Sequence, residues 1–320
     1  MKYNPIIIVS GEPNSIFFEI FLKAIKNNKF KSPIILIASK DLLNKQIKFF
    51  KSKIEIKEIN YANKKLGDIK SNSIYLINVD FNQKKLFDKI SINSKDYINK
   101  CFNIALEILN KKISNKLING PISKKKFLDK KYPGITEYLT KKTNSKNVAM
   151  IIYNKSLSVS PLTTHLPIKY IAKKITKLEI EKKVKIINSF WLKRFKKKPK
   201  IAITGLNPHC ESIDKFNEDD KIIKPCIKNL KKQKYNIDGP FPADTIFLKN
   251  NRNRYNVIIG MYHDQVLTPI KTLFEYDAIN ITAGLPFIRV SPDHGTNDKM
   301  VGKNLSNPLS LVRSIEFLDF

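Results

Sequence analysis

Four histidines occur in the 320 residues, and three of them stand where an apolar run stops. His165 closes SLSVSPLTTH, His209 closes IAITGLNPH and His263 closes YNVIIGMYH. Neutral imidazoles are good ligands for divalent metals, so three delivered to one place would form a metal centre. Long stretches of chain separate them, so only the fold can bring them together. Asp264 directly follows His263, placed to ligate the metal, to orient an imidazole or to cap a helix. Lys271 lies eight residues past His263 and faces the same crevice if a helix runs on from it. Arg289 sits in a Pro/Gly-bounded apolar stretch, where an unpaired guanidinium is costly and an anion clamp is the natural use. Thr136 and Asn280 are hydrogen-bonding groups for a small polar substrate. The fourth histidine, His294, opens a different segment, HGTNDKMVGKNLSNP, with Gly295, Thr296 and Gly302. Asp244, in ADTIF, reads as a helix N-cap. Cys210, beside His209, reads as a packed residue.

The elements that would position these groups follow from apolar periodicity. PIIIVS, PIILIAS, SIYLINV, KLING, IAITG and YNVIIG read as strands, alternating with helical patterns over Ser15–Lys26, Asp96–Ile113 and Asp219–Lys234. VAMIIYNKSLSVS reads as a hairpin turning at Asn154. Repeated strand–helix alternation predicts an α/β fold with a largely parallel sheet, and 37.0 kDa suffices for two domains. In such sheets the carboxyl ends of the strands open onto the binding crevice. No G-x-G-x-x-G, P-loop or G-x-S-x-G follows any strand, so a standard dinucleotide fingerprint, P-loop or nucleophile elbow is unsupported.

The net charge of +31 is the other feature that demands a decision. It comes from 54 lysines against only five arginines, spread along the whole chain among abundant Ile and Asn. Nucleic-acid readers favour arginine forks clustered on one face, so this pattern argues against a nucleic-acid partner. The A/T-rich codons shared by Lys, Ile and Asn account for it without any partner. Three cysteines with no C-x-x-C pair fit a reducing compartment. With no cleavable leader and no apolar stretch of about 20 residues, a cytoplasmic protein is expected and a membrane partner is not.

The islands GEP, NGPISK, PGITEYL, TTHLP, GLNPH, GPFPADT, YHDQ, NITAGLPFIR and DHGT occur in that order from Gly11 to about Gly302. Together they resemble the 4-hydroxythreonine-4-phosphate dehydrogenase family of pyridoxal phosphate biosynthesis. The resemblance implies a fold like the isocitrate and isopropylmalate dehydrogenases, two α/β domains flanking a cleft. These would be residues 1–130 plus 285–320, carrying the cofactor loop, and 131–284, carrying metal, substrate and dimerisation elements. It implies a homodimer with a shared active site. It implies NAD, with NADP as the variant, held by His294, Gly295, Thr296 and Gly302. One divalent metal (Zn, Co, Mn or Mg) would sit on His165, His209 and His263. Thr136, Lys271, Asn280 and Arg289 would hold a small phosphorylated hydroxy-amino acid, with Lys271 or Asp264 as the proton carrier.

Two departures stand out. The family's GHTE reads Gly134-Ile135-Thr136-Glu137 here, so Ile135 replaces a histidine expected at the substrate. A glycine-rich acidic stretch after His209 is replaced by CESIDKFNEDD. The first keeps a paralogous activity on 4-phosphothreonate or 4-phosphoerythronate in view as the alternative.

Overall fold

The computed structural model describes residues 3–26, 28–60, 69–129, 131–214 and 216–320. They divide into two compact units, residues 1–143 with 286–320 and residues 144–285.

The chain begins in the first unit with β1 (Ile6–Val9), α1 (Phe17–Lys26), β2 (Ile34–Ala38), α2 (Lys40–Phe49), β3 (Lys57–Glu58) and β4 (Ile74–Asn78). It continues through α3 (Ser94–Asn110), β5 (Lys116–Asn119) and α4 (Ile135–Lys142). The second unit holds β6 (Ala149–Tyr153), β7 (Ser158–Thr163), α5 (Ile171–Lys174), α6 (Lys177–Phe195), β8 (Ile201–Thr204), α7 (Lys224–Lys232) and β9 (Ile237–Phe241). After α8 (Lys249–Arg252), β10 (Val257–Tyr262), α9 (His263–Phe274) and β11 (Ile279–Ala283), the chain returns to the first unit with β12 (Ile288–Pro292) and α10 (Leu309–Leu318).

In the first unit the strands run in the order β3-β4-β2-β1-β5-β12, every pairing parallel. β1 and β2 are buried at every position, which is why they read as unbroken Ile/Leu/Val runs rather than alternating ones. α1 lays Phe17, Phe18, Ile20, Phe21 and Leu22 into this core and carries its lysines in the last turn, where the helix dipole favours cations. In the second unit the order is β11-β6-β7-β10-β8-β9. Here β11-β6 and β6-β7 are antiparallel, as the hairpin signal at Asn154 predicts, and β7-β10, β10-β8 and β8-β9 are parallel. Val266, Leu267 and Ile270 of α9 join Val159, Ala202 and Ile258 in one buried cluster.

One sequence expectation shifts. Residues 131–143, placed with the second domain on sequence, cluster with the first unit. The reason is aromatic: Tyr138 of α4 meets Phe102 of α3 at 5.5 Å and Phe127 at 5.3 Å between ring centroids. Among the described residues no helix is long and apolar enough to cross a membrane.

Candidate active site

The three strand-end histidines leave neighbouring parallel strands of the second unit. β10 lies between β7 and β8, with Tyr262 in register with Thr163 and Ile259 with Ile203. His165 follows β7, His209 follows β8 and His263 opens α9 directly after β10. The backbone is forced at two of them: His165 has φ 38° and His209 has φ 57°, followed by Cys210 at φ 61°. Non-glycine residues in this left-handed region carry strain that persists where surrounding structure holds it, typically at functional sites.

That holding structure is specific. Asp219 is fully buried, and its carboxylate accepts from the backbone N–H of Leu206 at 2.9 Å, from that of Asn207 at 3.1 Å and from Asn207 Nδ2 at 3.0 Å. It therefore pins the loop that ends in His209. The loop can lie this close only because residue 205 is glycine: a Cβ there would stand 2.6 Å from Asp219 Oδ1. Gln265 ties the same loop to β10. Its Oε1 accepts from Met261 N at 2.7 Å and from Thr204 Oγ1 at 2.8 Å, and its Nε2 donates to the Gly205 carbonyl at 2.8 Å. Cys210 is buried beneath, its thiol pushed up by burial and by the charge of Asp219, which fits a packed rather than a ligating sulfur.

His165 and His263 approach with ring centroids 6.0 Å apart. The Nδ1 of His263 meets Asp264 Oδ1 at 2.6 Å, which fixes the ring and presents Nε2 outward. His209 does not join them: among the described residues no group of three His, Cys, Asp or Glu side chains is gathered to hold a metal. The donor chemistry of the set, three imidazoles, fits a divalent ion. Lys271 lies two turns along α9, about 12 Å of helix rise from His263. Asn280 on β11 has a buried Oδ1 with no hydrogen-bond partner among the described residues.

The first unit carries the other expected groups. Arg289 on β12 is only 1% exposed, and its Nε donates to Asn119 Oδ1 at 2.7 Å. Burial lowers its pKa to about 10, opposed by the charge of Glu137. The guanidinium that looked costly in the sequence is thus compensated within its own unit. Thr136 and Glu137 lie in the first turn of α4, and Glu137 keeps a buried Oε2 without a hydrogen-bond partner among the described residues. Ile135, in the histidine's place, is the first residue of that helix.

His294, Gly295, Thr296 and Gly302 follow β12 in the same unit. A Cβ on Gly295 would meet nothing within 4 Å, so no packing within the chain demands a glycine there and its backbone is open to close approach. That open backbone fits a dinucleotide. Gly302 has its own reason: φ is 77° and a Cβ would stand 2.9 Å from the Phe87 ring. Asp244 corrects the sequence reading, since residues 243–247 form a turn and the next helix begins only at Lys249.

Sequence reasoning missed Asp219, Gln265, Asn119 and Glu137. Gln265 and Asn119 lay inside the YHDQ and NGP islands, whose composition was the available signal. Asp219 lay in the stretch read only as a departure.

A family model described as pyridoxal phosphate biosynthetic protein PdxA matches residues 29–318. A 4-hydroxythreonine-4-phosphate dehydrogenase of Sulfurihydrogenibium sp. is 38% identical over 97% of this chain and 95% of its own. A D-threonate 4-phosphate dehydrogenase of Salmonella typhimurium is 30% identical over 92% of each. Among solved structures, 4-hydroxythreonine-4-phosphate dehydrogenase from Klebsiella pneumoniae superposes with a TM-score of 0.85 at 26% identity, covering 99% of this chain and 97% of that one. Isocitrate dehydrogenase from Methylococcus capsulatus shares the fold at a TM-score of 0.50 and 9% identity, over 97% and 83% of the two chains.

Proposed function

Because the chain belongs to the pyridoxal phosphate biosynthetic protein PdxA family, we propose that it oxidises 4-phosphohydroxy-L-threonine at its 3-hydroxyl with NAD. The β-keto acid formed then loses carbon dioxide to give 3-amino-2-oxopropyl phosphate. The observation that carries this reading is the delivery of His165, His209 and His263 from the ends of three adjacent parallel strands. An alcohol oxidation followed by β-decarboxylation is eased when one electrophile stays at the same oxygen throughout. A divalent metal on these imidazoles would supply that, acidifying the alcohol and polarising the ketone. NAD held at the loop of His294, Gly295, Thr296 and Gly302 would supply the hydride acceptor.

The chain's own side chains do the rest. Asp264, engaged with His263 Nδ1, orients that ring, which leaves Lys271 to take the hydroxyl proton and later return one to the carbanion carbon. Asn280 offers its buried Oδ1 to the substrate ammonium. Arg289 neutralises the substrate's anionic groups, and Thr136 and Lys271 hydrogen-bond to them. The backbone at Gly295 receives the dinucleotide, with His294, Thr296 and Gly302 shaping the loop.

The functional unit is a homodimer whose active sites are shared. This part of the reading rests on the family resemblance, which implies a site completed across two copies of the chain.

A second reading is favoured by Ile135 and by the D-threonate 4-phosphate dehydrogenase relative. Without an imidazole at the start of α4 to bind phosphate or carboxylate or to move a proton, a related phosphorylated hydroxy acid is the alternative substrate. Steady-state NADH formation on the two substrates separates them. We expect kcat/KM on 4-phosphohydroxy-L-threonine to exceed that on D-threonate 4-phosphate by at least about 100-fold, since a site built to bond a group rejects its absence strongly. The reverse preference overturns the assignment.

A further inference from the structure

Between β12 and α10 lie the residues from Asp293 to Pro308, whose only regular element is a short 3₁₀ turn at Asp298–Met300. Ordering a connection of this length costs conformational entropy that its anchors must offset. Near its start, Asp293 N–H donates to Ser310 Oγ at 2.9 Å, and the Thr296 carbonyl accepts from Ile16 N–H at 3.2 Å. Near its end the attachment is made by charge-assisted hydrogen bonds. Glu19 of α1, 2% exposed, accepts the Ser306 N–H at 2.6 Å through Oε1. The same oxygen accepts from Lys23 Nζ at 2.8 Å, and Lys23 also donates to the carbonyls of Asn304 at 2.9 Å and Ser306 at 3.0 Å. Glu19 and Lys23 are an i, i+4 pair in the favourable order, acid before base.

Apolar packing contributes little here. Leu305 is 70% exposed. Beside the clamp lies a cavity of about 350 Å3, lined in part by Leu22, Phe50, Ser52 and Pro308. The end of the loop is therefore held by one charged pair on a rigid helix rather than by a filled core.

We infer that Glu19 and Lys23 are positioning residues for dinucleotide binding, acting through the Asn304–Ser306 backbone to fix the span that exposes Gly295. The inference rests on the reading of residues 294–302 as the cofactor loop. Neither side chain touches the reacting atoms. Releasing the loop lowers the fraction of molecules with a competent site, and the apparent affinity falls by the same factor.

The test uses the full-length enzyme and three variants, Lys23→Met, Glu19→Gln and Gly295→Val, with NAD affinity measured by calorimetry and kinetics by NADH formation. Lys23→Met and Glu19→Gln are expected to raise the NAD Kd and KM about tenfold, the effect of a competent fraction of about one in ten. Saturating kcat and the KM of the hydroxy-acid substrate should stay within about twofold, and amide exchange at 303–307 should accelerate. Lys23→Arg, which keeps the charge, should restore affinity. Gly295→Val is the control on the premise, expected to weaken NAD at unchanged thermal stability. If it weakens NAD while neither clamp variant does, the clamp inference is overturned and the cofactor-loop reading stands. If Gly295→Val leaves NAD affinity unchanged, the cofactor-loop reading fails and the inference fails with it.

Discussion

Asp219→Asn changes one atom of a fully buried carboxylate that receives three hydrogen bonds. An amide has one acceptor oxygen, and its best orientation keeps that oxygen where Oδ2 stands, facing both donors of Asn207. The new NH2 then faces the Leu206 N–H, donor against donor, at a site where the carboxylate contact was 2.9 Å. One charge-assisted bond is lost and one donor is left unpaired, which together cost about 2–3 kcal/mol. Trp191 is the only tryptophan, it is 6% exposed and it lies in the second unit, so its fluorescence reports on that unit in urea. The transition should move by this amount at unchanged slope. Because the loop ends in His209, divalent-metal affinity should also fall, by about tenfold or more, the scale seen when groups supporting metal ligands are removed. A variant within about 0.5 kcal/mol of the parent, with metal affinity intact, would refute the claim that Asp219 holds the His209 loop.

Two further outcomes follow from local geometry. Gly302→Ala, at φ 77° and 2.9 Å from Phe87, should destabilise the first unit by about 1–2 kcal/mol, the penalty of a left-handed residue with a Cβ, read as a lower midpoint in thermal unfolding. Glu12 is buried and its carboxyl is raised above the ordinary value chiefly by desolvation, with bonds from Ser94 and Asn14 opposing. A raised folded-state pKa contributes stability below the ordinary carboxyl range that is lost as pH rises through the raised value. Urea unfolding of Glu12→Gln and the parent should therefore show the variant gaining relative stability from pH 4 to pH 7. A difference that is flat or falls with pH contradicts the sign.

Much of the fold was readable from residue patterns. β1 and β2 are buried on both faces, so their sequences are unbroken apolar runs, and Asn154 marks a hairpin because a polar turn interrupts two such runs. The strand-end positions of His165, His209 and His263 followed from the same runs. Their supports did not, because Asp219 acts on backbone N–H groups, which look alike in any sequence. Arg289 was legible as a buried charge but not its partner, since Asn119 lies 170 residues away and is set beside it only by β12 pairing with β5. Gly295 and Gly302 looked equivalent in sequence, and only the Phe87 ring tells them apart. Helix α4 groups with the first unit rather than the second because the edge-to-face contacts of Tyr138 with Phe102 and Phe127 are a tertiary fact.

The proposed reaction is an oxidation at the 3-hydroxyl followed by loss of the adjacent carboxylate. Its most direct test is a stoichiometry: NADH and carbon dioxide released per molecule of 4-phosphohydroxy-L-threonine consumed by the metal-replete enzyme. The expected result is one of each, with 3-amino-2-oxopropyl phosphate as product and both signals lost on chelation and regained on adding a divalent ion. NADH without carbon dioxide, or no NADH at all from this substrate, would contradict it.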